Sequence, residues 1–119
     1  MTRVLVADDS ETVLLMLQRR LEFSGYDVAT ATDGLQALTA AHAEPAPDLI
    51  LLDAMMPNMS GLEALQSLRE EGSEIPIIIV SAYRYGHEPE EVLQLGADGC
   101  VGKPFDWDAL LGEIERLTA

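Results

Sequence analysis

The run Asp48-Leu-Ile-Leu-Leu-Asp53-Ala-Met-Met-Pro57-Asn-Met-Ser-Gly61 decides how the rest of the chain is read. Leu49 to Leu52 are four apolar residues in succession. That is the pattern of a strand covered on both faces, and so of a central strand in a parallel sheet. The strand ends on the carboxylate of Asp53, and Pro57 and Gly61 then turn the chain out of the sheet. The carboxyl ends of strands are where open α/β sheets bind their ligands. A lone Asp there is equally a turn former, so its meaning depends on how the other strands end.

Working outward, Val4–Ala7 is an apolar strand that runs into Asp8-Asp9, and Ile77–Val80 is a second strongly apolar strand that ends at Ser81. Asp27–Ala31 alternates weakly, as an edge strand does, and Gly99–Gly102 leaves room only for a short strand before Lys103-Pro104. Helices fall between them. One starts at the N-cap Ser10 and buries Leu14, Leu17 and Leu21 up to Gly25; the next starts near Asp33, turns Leu35 and Leu38 inward and stops before Pro45. A third buries Leu62, Leu65 and Leu68 as far as Gly72, and a short acidic fourth contains Val92, Leu93 and Leu95 and ends at Gly96. The last is capped by Asp106 and buries Leu110, Ile114 and Leu117.

Strands alternating with helices predict an α/β fold, a parallel sheet with helices on both faces. With the most apolar strands central and short right-handed crossovers, the simplest order is 2-1-3-4-5, that of the flavodoxin-like, doubly wound (βα)5 architecture. No linker, repeat or low-complexity segment interrupts the pattern, so residues 1–119 read as a single domain.

Composition narrows the function. Seven basic residues against 21 acidic ones give a formal charge of −14, which argues against direct binding of nucleic acid. No apolar run is long enough for a membrane span. The absence of a signal-peptide pattern and a single cysteine place the chain in the cytoplasm by default. Lys103 is the one lysine, beside six arginines.

In the predicted order, Asp8, Asp9, Asp53, Ser81 and Lys103 arrive at one edge of the sheet. Converging carboxylates repel, so protons or a cation must neutralise some of them. Ligands made only of oxygen favour a hard ion, and Mg²⁺ takes one or two protein carboxylates while keeping waters that a phosphate can replace. Lys103 brings a mobile point charge suited to a phosphoryl group, and Ser81 brings one hydroxyl. This set of groups can make Asp53 a nucleophile toward phosphorus, with an aspartyl phosphate as product.

The pair Asp8-Asp9, the Asp-x-x-x-Pro-x-x-x-Gly run from Asp53 to Gly61, Ser81-Ala82, Gly96-Ala97-Asp98 and Lys103-Pro104-Phe105 together resemble the receiver domain of two-component response regulators. The resemblance covers essentially the whole chain. It implies that Asp53 accepts a phosphoryl group from a sensor histidine kinase or a histidine phosphotransfer protein. It further implies that Asp9, Asp53 and the backbone carbonyl of Met55 bind Mg²⁺ directly and that Asp8 assists through water. Ser81 would move toward the phosphoryl group and Lys103 would bind it, next to a cis Lys103–Pro104 bond. Slow self-dephosphorylation, no turnover of an external substrate, an unknown downstream protein or output domain, and a monomer or phosphorylation-linked homodimer follow from the same resemblance. The chain departs from the family at Cys100, where a Tyr or Phe usually relays the movement of the hydroxyl. Either the output is relayed differently, with Tyr83 or Tyr85 carrying the movement, or this face is not the main output.

Two other classes compete. An aspartyl-nucleophile phosphatase on a similar sheet would resemble Asp-x-Asp, but Met55 holds the second place. A flavin- or nucleotide-binding module would offer hydroxyls and glycines after the first strand, and Ala7-Asp8-Asp9-Ser10-Glu11 offers negative charge instead. Met55, Met56 and Met59 read as packing residues and Cys100 as a small core residue. His42 reads as lying on a solvated helix face and His87 in a polar loop, while Glu88, Glu90 and Glu91 form a solvated face. Trp107 is balanced between a staple onto the core and an exposed contact.

Overall fold

The computed structural model describes residues 1–81, 89–104 and 106–119. Its elements are β1 (Arg3–Ala7), α1 (Glu11–Phe23), β2 (Asp27–Ala31), α2 (Gly34–Ala41), β3 (Leu49–Asp53), α3 (Gly61–Glu70), β4 (Ile77–Ser81), α4 (Pro89–Gln94), β5 (Gly99–Gly102) and α5 (Trp107–Thr118). The sheet is parallel throughout, in the order β2-β1-β3-β4-β5, as the apolar content of the strands predicts. The expectations attached to Ala82, Tyr83, Tyr85, His87, Glu88 and Phe105 lie outside the described residues.

The pleat sorts the three central strands between two cores. Leu5, Ile50, Leu52, Ile77 and Ile79 face the side covered by α2, α3 and α4, through Ala37, Leu65 and Val92 among others. Val4, Val6, Leu49, Leu51, Ile78 and Val80 face α1 and α5, where they meet Leu14, Leu17, Leu21, Leu110 and Ile114. From Val4, Leu49 and Ile77 onward the three central strands therefore carry no polar residue until their carboxyl ends, Arg3 at the start of β1 lying outside that run. Each fully buried aliphatic side chain contributes roughly 1.5–3 kcal/mol of transfer free energy.

Local signals set the helix starts. Ser10 accepts from the Val13 N–H, Asp33 from the Gln36 N–H, and Ser60 forms a reciprocal capping box with Glu63. Asp106 caps α5 by accepting from the Asp108 N–H.

Several side chains sit differently from their expected places. Leu35 is exposed, and α2 reaches the sheet through Gly34, Ala37 and Ala41 with Leu38 half-buried. Small residues let this helix lie close to the strands, so its buried stripe does not pass through its first large residue. Leu93 is likewise exposed, whereas Val92 is buried and Leu95 half-buried. Met55 is exposed as well, because it lies in the segment leaving β3; Met56 and Met59 do pack on the core. Cys100 is half-buried on the α4 side, and burial pushes its thiol pKa up. Trp107 packs on the α1–α5 core with the Arg20 guanidinium 5.3 Å from its ring centroid. The Lys103–Pro104 bond is cis, as the family resemblance implies, and so is Glu44–Pro45.

His42 is solvent-exposed as expected, yet both ring nitrogens are engaged. Nδ1 lies 2.7 Å from the Leu38 carbonyl oxygen and Nε2 lies 2.6 Å from Glu71 Oε2. Both partners are acceptors, so only the imidazolium satisfies both contacts. The Leu38 carbonyl, and after it the Glu71 carboxylate, hold the His42 pKa above the ordinary histidine value. A folded-state pKa raised in this way adds stability that is complete below the unfolded value of about 6.5 and is lost as pH rises through the higher folded one. In urea titrations Glu71→Gln is therefore less stable than wild type at pH 6, and the difference closes as pH passes above neutral. A difference that does not change with pH would contradict the imidazolium assignment.

Candidate functional site

The register carries four strand ends to one place. Ala7 pairs with Leu52, Asp53 with Val80, and Ser81 with Gly102. The residues just beyond β1 and β5 therefore flank the last residues of β3 and β4. Main-chain bonds fasten the edge: the Ala54 N–H donates to the Val80 carbonyl at 2.8 Å, and the Lys103 N–H donates to the Ser81 carbonyl at 2.8 Å.

Lys103 Nζ donates to Asp8 Oδ2 and to Asp53 Oδ2, each at 3.0 Å. Asp8 is buried, and its second oxygen accepts from the Ser10 N–H at 2.9 Å. Asp53 is also buried, whereas Asp9 is exposed. Each of the three carboxylates offers an oxygen within 4.8 Å of those of the other two. The structure thus brings together Asp8, Asp9, Asp53 and Lys103 as the sequence predicts. Met55 follows two residues after Asp53, its N–H 3.5 Å from Asp53 Oδ1, at the outer limit of a hydrogen bond. Ser81 Oγ is buried with no partner among the described residues. A buried hydroxyl left in that state carries a desolvation cost of roughly 1–3 kcal/mol.

Burial, the largest influence on Asp53, raises its pKa; the hydrogen bond from Lys103 opposes this and the charge of Asp8 adds to it. For Lys103 the largest single influence is again burial, which disfavours the ammonium, but the hydrogen bonds and charges of Asp53 and Asp8 together outweigh it and leave the pKa raised. Lys103 is therefore charged at neutral pH, while ionisation of Asp53 costs the fold stability. The site already holds more negative charge than its one lysine balances.

The segment from Ala54 to Ser60 returns on itself, with the Gly61 N–H donating to the Ala54 carbonyl at 3.1 Å. A Cβ at Gly61 would overlap the Asp53 carbonyl oxygen, so the return is possible only for glycine. Reading by residue type misses two contacts here: Asn58 with Asp33, and Gly34 with Met59. The only sequence signal for them is an Asn after Pro57, a residue type that tolerates positive φ. Beside Lys103, a groove of about 510 Å³ is lined by Val13, Met16, Arg20, Pro104 and Trp107.

The family model of the response regulator receiver domain matches residues 4–115. The chain belongs to this family. It is 44% identical over 103 residues to the alkaline phosphatase synthesis transcriptional regulatory protein PhoP of Bacillus subtilis, covering 87% of this chain and 42% of that protein. The receiver domain spans about half the length of the curated relatives it matches. Among solved structures, the receiver domain of the Francisella response regulator 1452 superposes with a TM-score of 0.93 at 33% identity, covering 99% of this chain and 97% of that one. Response regulator TrrA of Thermotoga maritima, solved in complex with Mg²⁺–BeF, superposes with a TM-score of 0.84 at 32% identity, covering 98% and 99%. Membership in a family of two-component systems places the acidic edge of this receiver domain above the phosphatase and flavin readings, and Met55 still stands where an aspartyl phosphatase would carry a second acid. Among the described residues no helix is long and apolar enough to cross a membrane.

Two substitutions separate the roles of the charges. Lys103→Met leaves Asp8 and Asp53 facing each other without a cation and lowers stability in EDTA by about 1–3 kcal/mol; added Mg²⁺ restores part of the loss. Asp53→Asn removes a charge whose ionisation burial opposes, and Lys103 keeps Asp8 as its partner. Its urea midpoint at pH 7 in EDTA therefore stays at or above that of wild type. Lowered stability in Asp53→Asn would contradict the direction of the Asp53 pKa shift.

Proposed function

We propose that this receiver domain accepts a phosphoryl group on Asp53 from a sensor histidine kinase or a histidine phosphotransfer protein, and so switches its contacts with a downstream protein or an attached output domain. The observation that carries the reading is the bridge from one ammonium to two buried carboxylates, Asp8 and Asp53, at the carboxyl edge of a parallel sheet. The donor set suits a hard divalent ion: three carboxylates lie close enough to share one cation, and no Cys or His competes within that cluster. Asp9, Asp53 and the backbone carbonyl of Met55 would hold Mg²⁺ directly, with Asp8 acting through water. The relative solved with Mg²⁺–BeF supports this choice of ion. When bound, the ion neutralises negative charge on the carboxylates and on the phosphoryl oxygens.

The chain's own residues supply the rest. A carboxylate oxygen of Asp53 attacks phosphorus as the P–N bond of the donor phosphohistidine breaks. The electron pair of that bond leaves with the imidazole nitrogen, and an acyl phosphate forms. Lys103 shifts its hydrogen bonds from the Asp53 carboxylate to a phosphoryl oxygen, which carries more charge and is a stronger acceptor. Ser81 Oγ, buried without a described partner, donates a hydrogen bond to another phosphoryl oxygen, and the cost of its isolation ends there. Phosphorylation adds about −1.5 to −2 charges at this edge. The loops bearing Ser81 and Lys103 respond as a population shift, with the free domain sampling both arrangements. Water later cleaves the acyl phosphate and regenerates Asp53, so the domain is a phosphoacceptor with slow self-hydrolysis and turns over no external phosphoester. It works in the cytoplasm, as a monomer or as a homodimer linked to phosphorylation.

Intact mass after treatment with acetyl phosphate tests the assignment. Wild type gains one phosphoryl group with Mg²⁺ and little in EDTA, Asp53→Asn gains none, and Lys103→Met is slowed by about 10²-fold or more, the scale of losing one preorganised electrostatic group. Equal modification of Asp53→Asn and wild type would remove Asp53 from its role.

A further inference from the structure

The segment between β3 and α3 is tied at its tip as well as at its base. The Met59 N–H donates to the Pro57 carbonyl at 2.7 Å, closing an i to i+2 turn around Asn58, whose φ is +66°. A γ-turn with positive φ at its centre is rare and strained. Such a conformation persists only where its surroundings impose it. Here the N-terminus of α2 does so. Asn58 Nδ2 donates to Asp33 Oδ2 at 2.7 Å, and the Gly34 N–H donates to the Met59 carbonyl at 2.8 Å. The other oxygen of Asp33 accepts from the Gln36 N–H at 2.8 Å, so the carboxylate that holds the turn is itself fixed by the helix it caps. Asp33 is buried, and a Cβ at Gly34 would overlap the Met59 carbonyl. The two segments can touch only because residue 34 is glycine.

We propose that Asp33 and Asn58 are positioning residues for the divalent-ion site: their hydrogen bond fixes the turn after β3 and thereby the direction of the Met55 carbonyl relative to the Asp53 carboxylate. The inference rests on the reading given under Proposed function, in which that carbonyl is a ligand. A backbone carbonyl has no rotamers of its own, so its aim is set by the segment that carries it. Met55 lies between two anchors, the Gly61–Ala54 bond at the base and the Asn58–Asp33 bond at the tip. Mg²⁺ demands near-octahedral geometry and tolerates misdirected ligands poorly. Supporting partners of metal ligands change metal affinity by roughly 10–100-fold when removed.

Isothermal titration of the metal-free domain with MgCl₂ tests this. Asn58→Asp sets a carboxylate against Asp33 at a position where Asp still tolerates positive φ. Its Mg²⁺ dissociation constant rises about tenfold, the lower end of what lost supporting partners cost. The added negative charge would by itself tighten cation binding, so the sign of the change is diagnostic. Adding Asp33→Asn to Asn58→Asp restores the net charge, the α2 cap and the hydrogen bond with donor and acceptor exchanged, and it returns wild-type affinity. Acetyl phosphate assays show the same split: half-maximal rate needs more Mg²⁺ in Asn58→Asp, and the rate at saturating Mg²⁺ is unchanged. Wild-type affinity in Asn58→Asp, or a double variant no tighter than Asn58→Asp, overturns the inference. If wild type itself takes up no Mg²⁺, the metal reading falls and the inference with it; if wild type binds and Asn58→Asp matches it, only the inference falls.

Discussion

Three carboxylates held within 4.8 Å of one another, with one ammonium between two of them, are the constraint the rest of the structure serves. Left to itself such a cluster would disperse, because each charge gains by moving into water and away from its neighbours. It stays together because Asp53 ends, and Asp8 follows, a strand locked almost throughout in apolar packing. Asp53 ends a strand with no exposed position, and Asp8 follows one almost as deeply covered. The free energy that concentrates the charge comes from leucine, isoleucine and valine elsewhere in the sheet. The resulting imbalance gives the edge its appetite for a cation.

Much of this was legible from residue order. Uninterrupted apolar runs at Leu49–Leu52 and Ile77–Val80 announce doubly covered strands, and a parallel sheet has few ways to order five strands when the central ones are that clear. Asp8, Asp53, Ser81 and Lys103 could be assigned to one edge because strand ends in such a sheet share it. Side chains whose fate depends on distance between elements were less legible. Leu35 is the largest apolar residue at the start of α2, yet the helix lies so close to the sheet that Ala37 and Ala41 take the buried positions. Met55 looks like a core residue by type and is exposed by place. The bond between Asp33 and Asn58 joins residues 25 apart, one of them serving a second time as a helix cap, and no local pattern beyond the Asn after Pro57 signals it.

Residues of unlike kinds share the work of holding the edge in shape. Gly34 and Gly61 contribute by what they lack, since each permits a backbone contact that a methyl group would prevent. Ser10 caps α1 while its own N–H satisfies the inner oxygen of Asp8. Lys103 acts through both main chain and side chain, joining Ser81 and the two carboxylates in a single residue. A substitution at Gly34, Gly61 or Ser10 would be felt at the acidic edge without touching a carboxylate of the cluster.

Parallel strands joined by helices have a further electrical consequence. In this alternation each helix follows the carboxyl end of a parallel strand, and α1 begins at Glu11, two residues after Asp9. Aligned peptide dipoles give a helix N-terminus roughly half a positive elementary charge, effective within about one turn. The start of α1 therefore lays a standing background of positive potential beside Asp8 and Asp9, drawn from amide groups that no mutation of a side chain can delete. Lengthening the short β1–α1 connection would retreat that background from Asp8 and Asp9 and starve the edge of its quietest source of support.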